Sequence, residues 1–164
     1  LADGEYDVAL ERAKQNLASD RRRGLLVGIA LHQLIIGRSY MKKAEGTTGL
    51  SESTRYLDNA VKALRRAGRQ DYVPLGLLAR AELLRVTRDY ISARRDLDEA
   101  MTIATRGGMR RHEADCYLGY ARLAMAEGDR ATAREHLETA TRMIEEMDYH
   151  RRDPELAELE EELG

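Results

Sequence analysis

The chain has 164 residues, enough to bury a sizeable core, and carries 27 Lys plus Arg against 29 Asp plus Glu. Its formal charge of −2 argues against wholesale nucleic-acid binding, which needs a clearly basic surface. A lone cysteine, Cys116, excludes an internal disulfide framework and suits a reducing cytosol, so a cytoplasmic location is expected.

Two prolines, no Trp and no Phe fit helices packed by Leu, Ala, Met, Ile and Tyr, with no sign of sheets. The first predicted helix covers 4–19. The most apolar stretch follows, Leu25 to Ile36, broken by His32 and Gln33 and about half the length that spans a bilayer. It reads as part of a buried helix over 24–45, so no membrane partner is expected. Further helices are predicted over 51–67, 71–87, 90–106, 109–127, 130–147 and 154–163. Their ends are set by Gly24, Gly46 with Gly49, Gly68, Gly107 with Gly108, and Gly128, where positive φ costs least. Asp71, Asp89, Asp129 and Asp153 stand where N-caps are expected, and Pro74 and Pro154 fall in first turns, where a missing N–H costs nothing. The chain opens on Leu1 rather than Met, which suggests a fragment or processed product.

A register runs through these elements. Leu17, Leu57, Leu97 and Leu137 stand 40 residues apart. Small residues precede them by four (Ala13, Ser53, Ala93, Ala133), and Asp20, Ala60, Ala100 and Ala140 follow by three. A fixed period of this size is the signature of stacked supersecondary units. Helix 71–87 has two apolar stripes (Val73, Leu77, Ala81, Leu84 and Leu75, Ala79, Leu83, Val86), which predicts an inner layer covered on two sides. Helices 51–67, 90–106 and 130–147 have narrower stripes and more charge, and should form an outer layer. The segment 153–163, with Leu156, Leu159 and Leu163 on one edge and glutamates elsewhere, reads as a capping helix. Helix 4–19 has the outer-layer register without an inner partner before it. The array therefore looks cut within a repeat, open to self-association through its uncovered amino-terminal end.

These residues resemble tetratricopeptide repeats (TPR). Tyr117, Tyr120, Ala121, Ala124, Gly128, Asp129, Ala133, Leu137 and Ala140 follow that family's order. So do Leu77, Ala81, Leu84, Asp89, Tyr90, Ala93, Leu97 and Ala100, although Arg88 replaces the usual Gly and Arg80 the usual Leu. Ile36-Gly37 with Tyr40 and Ala60 resembles an earlier copy. The 40-residue period is similar to the longer variety of kinesin light chains, spindle-orientation adaptors and bacterial maltose-activator sensors. The phrases Leu78-Ala79-Arg80-Ala81-Glu82-Leu83-Leu84 and Arg94-Arg95-Asp96-Leu97-Asp98-Glu99-Ala100 look most like the carboxy-terminal arrays of bacterial signal-transduction ATPases. The resemblance implies an all-α fold, a right-handed α-solenoid of antiparallel helix pairs spanning 1–164 as one array. Within it, 4–19 is the outer helix of a truncated repeat, 24–67, 71–106 and 109–147 are helix pairs, and 153–163 is the cap.

Chemistry is sparse. His112-Glu113-x-x-Cys116 puts two metal-ligand types four apart, but no second cysteine completes a site. Cys116 among Tyr117, Leu118 and Tyr120 suggests burial rather than a nucleophile. No Gly-x-x-x-x-Gly-Lys-Ser/Thr occurs. No catalytic, metal or cofactor residue is therefore assigned, and no enzyme is expected. Arg21-Arg22-Arg23, Arg65-Arg66 with Arg69, and Arg110-Arg111 recur near outer-helix ends, where the stack could align them as a basic ridge for an acidic partner; the plainer reading is solvated cations at helix C-termini. Carrying the family's groove positions onto this chain implies a partner-binding groove made by Leu78, Glu82, Arg85, Asp115, Leu118, Arg122 and Met125, with Arg38 and Lys42 added from the first copy. The implied function is a scaffold binding a protein or peptide, as the sensor or recruitment part of a larger bacterial signalling protein. The alternatives are a free-standing adaptor and a helical enzyme whose site is unrecognised.

Overall fold

Eight α-helices make up the computed structural model, which describes residues 3–43 and 47–164; no strand occurs among them. They are α1 (Asp3–Arg23), α2 (Leu26–Lys42), α3 (Thr47–Arg66), α4 (Val73–Val86), α5 (Tyr90–Arg106), α6 (Arg110–Glu127), α7 (Arg130–Glu146) and α8 (Asp153–Leu163). A 3-10 turn, His150–Arg152, leads into α8. The protein is all-α, and each helix packs on the next in chain order. Beyond those neighbours, α2 touches α4, α4 touches α6 and α6 touches α8, so the even-numbered helices form a continuous inner layer. No helix among the described residues is long and apolar enough to cross a membrane.

Several ends obey local chemistry. Asp89 and Asp129 cap α5 and α7, accepting from the backbone N–H groups of Ser92 (3.1 Å) and Thr132 (3.0 Å). Gly24, Gly68, Gly108 and Gly128 all have φ between 63° and 85°, the left-handed turn that breaks a helix cheaply. Arg88, at the position where a glycine was expected, takes the same conformation (φ 64°), a strain of roughly 1–2 kcal/mol for a residue with a Cβ.

Other expectations fail. Asp71 does not cap α4: the residue before that helix is Tyr72, which makes no side-chain cap, and Asp71 instead accepts two bonds from Arg69. Asp153 lies inside α8, where its carboxylate meets His150 Nδ1 at 3.1 Å. The first helix runs on to Arg23, and α3 begins at Thr47, so Gly49 is helical rather than a breaker. The expected ends of helix 24–45 and Gly46 lie partly outside the described residues.

The 40-residue recurrence is a packing device. Leu17, Leu57, Leu97 and Leu137 are all buried, as are Ala13, Ser53, Ala93 and Ala133, and Ala60, Ala100 and Ala140 are fully enclosed. Burial of each leucine contributes roughly 1.5–3 kcal/mol. Two of them close over a glycine on an inner helix. A Cβ at Gly37 would lie 2.7 Å from Leu57 Cδ2 and Cγ, and one at Gly119 would lie 2.5 Å from Leu97 Cδ2. Ser53 tightens the first contact, its hydroxyl donating to the Gly37 carbonyl at 2.8 Å. Gly37→Ala should therefore destabilise by about 1–2 kcal/mol through overpacking, although alanine is the better helix former. Urea unfolding at or above wild-type stability would show that α2 and α3 are not in such close contact.

Candidate functional site

The inner helices bring one face each to a groove of about 600 Å³. All nine residues named from the sequence line it: Arg38 and Lys42 from α2, Leu78, Glu82 and Arg85 from α4, and Asp115, Leu118, Arg122 and Met125 from α6. They converge because positions 78, 82 and 85, and 115, 118, 122 and 125, fall on single helical faces. Two neighbours on the same faces, Met41 and Leu75, extend the apolar floor.

Part of the polar lining is saturated internally. Arg85 donates two bonds to Glu82, from Nε at 2.9 Å and Nη2 at 2.8 Å. Burial pushes Glu82 up, but Arg85, with Arg122 and Lys42 nearby, more than offsets this and holds its carboxyl below the ordinary range. Asp115 is buried and accepts from Arg152 Nε at 2.7 Å, while Arg152 Nη1 donates to Glu155 at 2.6 Å. Burial raises Asp115 too, and His112 and Arg152 bring it back below the usual carboxylate value.

The rest is unspent. Arg38, Lys42 and Arg122 make no hydrogen bond or ion pair among the described residues, Lys42 and Arg122 acting on Glu82 only through space. Solvent reaches the Arg38 side chain, yet the surrounding protein strips much of its hydration. That loss, with Arg152 and Arg151 nearby, holds its guanidinium below the ordinary arginine range. An accessible cation with poor hydration gains more than most from a ligand anion.

The carboxy-terminal segment supplies groove residues that the sequence reading did not assign. Arg152, Glu155, Glu158, Leu159 and Glu162 form the wall opposite α2. The apolar edge expected of that segment is buried: Leu156, Leu159 and Leu163 pack against α6 and α7. Its carbonyl end is also held, Arg130 and Arg134 each donating to the Leu163 carbonyl at 2.8 Å.

Elsewhere the chemistry is quiet. Cys116 is fully enclosed and its thiol is pushed up to about 12 by burial, then by Asp115 and Glu113, so it holds no thiolate at neutral pH. His112 Nδ1 lies 3.8 Å from Asp115 Oδ2, and no group of three or more candidate metal ligands occurs among the described residues. The basic clusters are partly consumed by the fold. Arg65 pairs with Glu99 at 2.8 Å, Arg110 with Glu146 at 2.7 Å, Arg69 with Asp71, and Arg111 lies over the Tyr149 ring. Arg21, Arg22, Arg23 and Arg66 stay exposed. Compared with the sequence profiles of known families and with curated proteins, the chain matches none.

Proposed function

We propose that this chain is a non-enzymatic interaction module that takes a protein or peptide segment in the groove of α2, α4, α6 and α8. The supporting observation is the pairing of accessible apolar side chains (Leu75, Leu78, Met125) with three charged ones, Arg38, Lys42 and Arg122, that make no hydrogen bond or ion pair among the described residues. Such a mixture is what a specific protein contact uses, arginine and methionine being favoured there. The chain-order packing of helices fits a TPR-like, right-handed α-solenoid, the form that the sequence resemblance implies. The same resemblance makes the module the sensor or recruitment part of a larger bacterial signalling protein acting in the cytoplasm. Affinity capture should recover a partner with the wild-type chain and lose it with Arg122→Glu and with Met125→Arg, both checked for unchanged helicity. Partners retained by both variants would place binding away from the groove.

A further inference from the structure

Resting on that groove reading, we infer that the ligand is an amphipathic helix with acidic side chains along one edge of its apolar stripe and basic side chains along the other. The two walls of the groove are oppositely charged. The groove-lining side chains that make no hydrogen bond or ion pair among the described residues are, on α2, the cations Arg38 and Lys42, one helical turn apart, and on α8, the acids Glu158 and Glu162, also one turn apart. These helices do not touch each other among the described residues, because α4 and α6 lie between them and provide the floor.

Taken whole, the lining balances. Arg38, Lys42, Arg85, Arg122 and Arg152 stand against Glu82, Asp115, Glu155, Glu158 and Glu162. A uniformly acidic or uniformly basic ligand gains at one wall and loses at the other, so the groove selects a charge pattern rather than a net charge. A helix is the secondary structure that presents one apolar stripe with two distinct flanks; an extended strand has two faces and no flanks. The stripe would lie on Leu75, Leu78 and Met125, which line the groove and are only partly buried. Because a helix can enter in either direction, the pattern fixes its orientation as well as its affinity.

Three synthetic helical peptides of about 16 residues (about 24 Å) test this. All share one leucine stripe; their flanks are both glutamate, both lysine, or one of each. The wild-type chain should bind the mixed peptide at least about tenfold tighter than either other at moderate salt. Glu158→Lys with Glu162→Lys should move the preference to the all-glutamate peptide, and Arg38→Glu with Lys42→Glu to the all-lysine peptide. A single-charge peptide binding the wild type as tightly as the mixed one, a preference unmoved by wall reversal, or binding of none of the three would overturn the inference. The groove reading fails separately, if the mixed peptide binds Met125→Arg as well as it binds the wild type.

Discussion

Arg80→Leu should destabilise the protein by about 3 kcal/mol, even though leucine is what the resembling repeats carry at that position. Arg80 projects from α4 between two outer helices. Its Nε and Nη2 donate to the two carboxylate oxygens of Asp96 on α5 at 2.6 and 2.8 Å, and Nη1 donates to Asp58 on α3 at 3.1 Å. The Asp96 side chain is only 6% exposed, so losing the guanidinium strands a carboxylate where water cannot replace it. Asp58, 41% exposed, simply rehydrates. Arg80→Leu combined with Asp96→Leu should recover most of the loss, because apolar groups replacing both members of a buried pair cost little. In a chain of this size each kcal/mol moves Tm by about 2–4 °C, so thermal unfolding resolves the single from the double variant. A single variant within about 0.5 kcal/mol of wild type would mean that water already solvates Asp96.

What the sequence disclosed depended on how local the signal was. All eight helices were readable, since their stripes and glycine stops act within a few residues. The recurring leucines marked core positions because burial is what sustains a repeat. Starts were harder. Gly49 reads as a breaker before α3, yet Leu50 packs into the core and outweighs the roughly 1 kcal/mol of a helical glycine, while Gly46 lies outside the described residues. Asp71 and Asp153 had the chemistry of caps, but nearby Arg69 and His150 took their carboxylates. The nine groove-lining residues were reached only through the resemblance, and the groove itself lines up on them. Arg152 was not reached, because its partner Asp115 lies 37 positions away with no local trace. The same distance hid the fate of the basic clusters, as Arg65 and Arg110 find Glu99 and Glu146 across helix boundaries, 34 and 36 positions on.

That unseen pair is where the groove can be opened. Asp115→Asn should cost about 2–3 kcal/mol, because Arg152 loses a charged, buried acceptor and is left with Glu155 in a region that Arg38 and Arg151 already make positive. The loss should be concentrated in α8. Three leucines and the carbonyl contacts of Arg130 and Arg134 hold the rest of that helix, whereas its entry turn rests on Arg152. Hydrogen exchange should then quicken by about thirty- to a hundredfold in 153–163 and far less in α4 and α5, given tenfold per 1.4 kcal/mol. Acid should imitate the substitution. Asp115 and Glu82 both titrate below their unfolded values, so in acid the native state binds fewer protons than the unfolded chain. The stability they contribute is whole above the unfolded range of about 4 and drains as pH falls through the lowered folded values. Wild-type stability should therefore fall below about pH 4, with α8 loosening first, and Asp115→Asn should fall less steeply there because one of the lowered carboxylates, a group that includes the Asp89 and Asp129 caps, is gone. Uniform exchange across all helices in that variant would show that Asp115 supports the fold generally. Loss confined to α8 would make this one carboxylate the fastening of the groove's acidic wall, and a ligand that needs Glu158 and Glu162 would weaken with it.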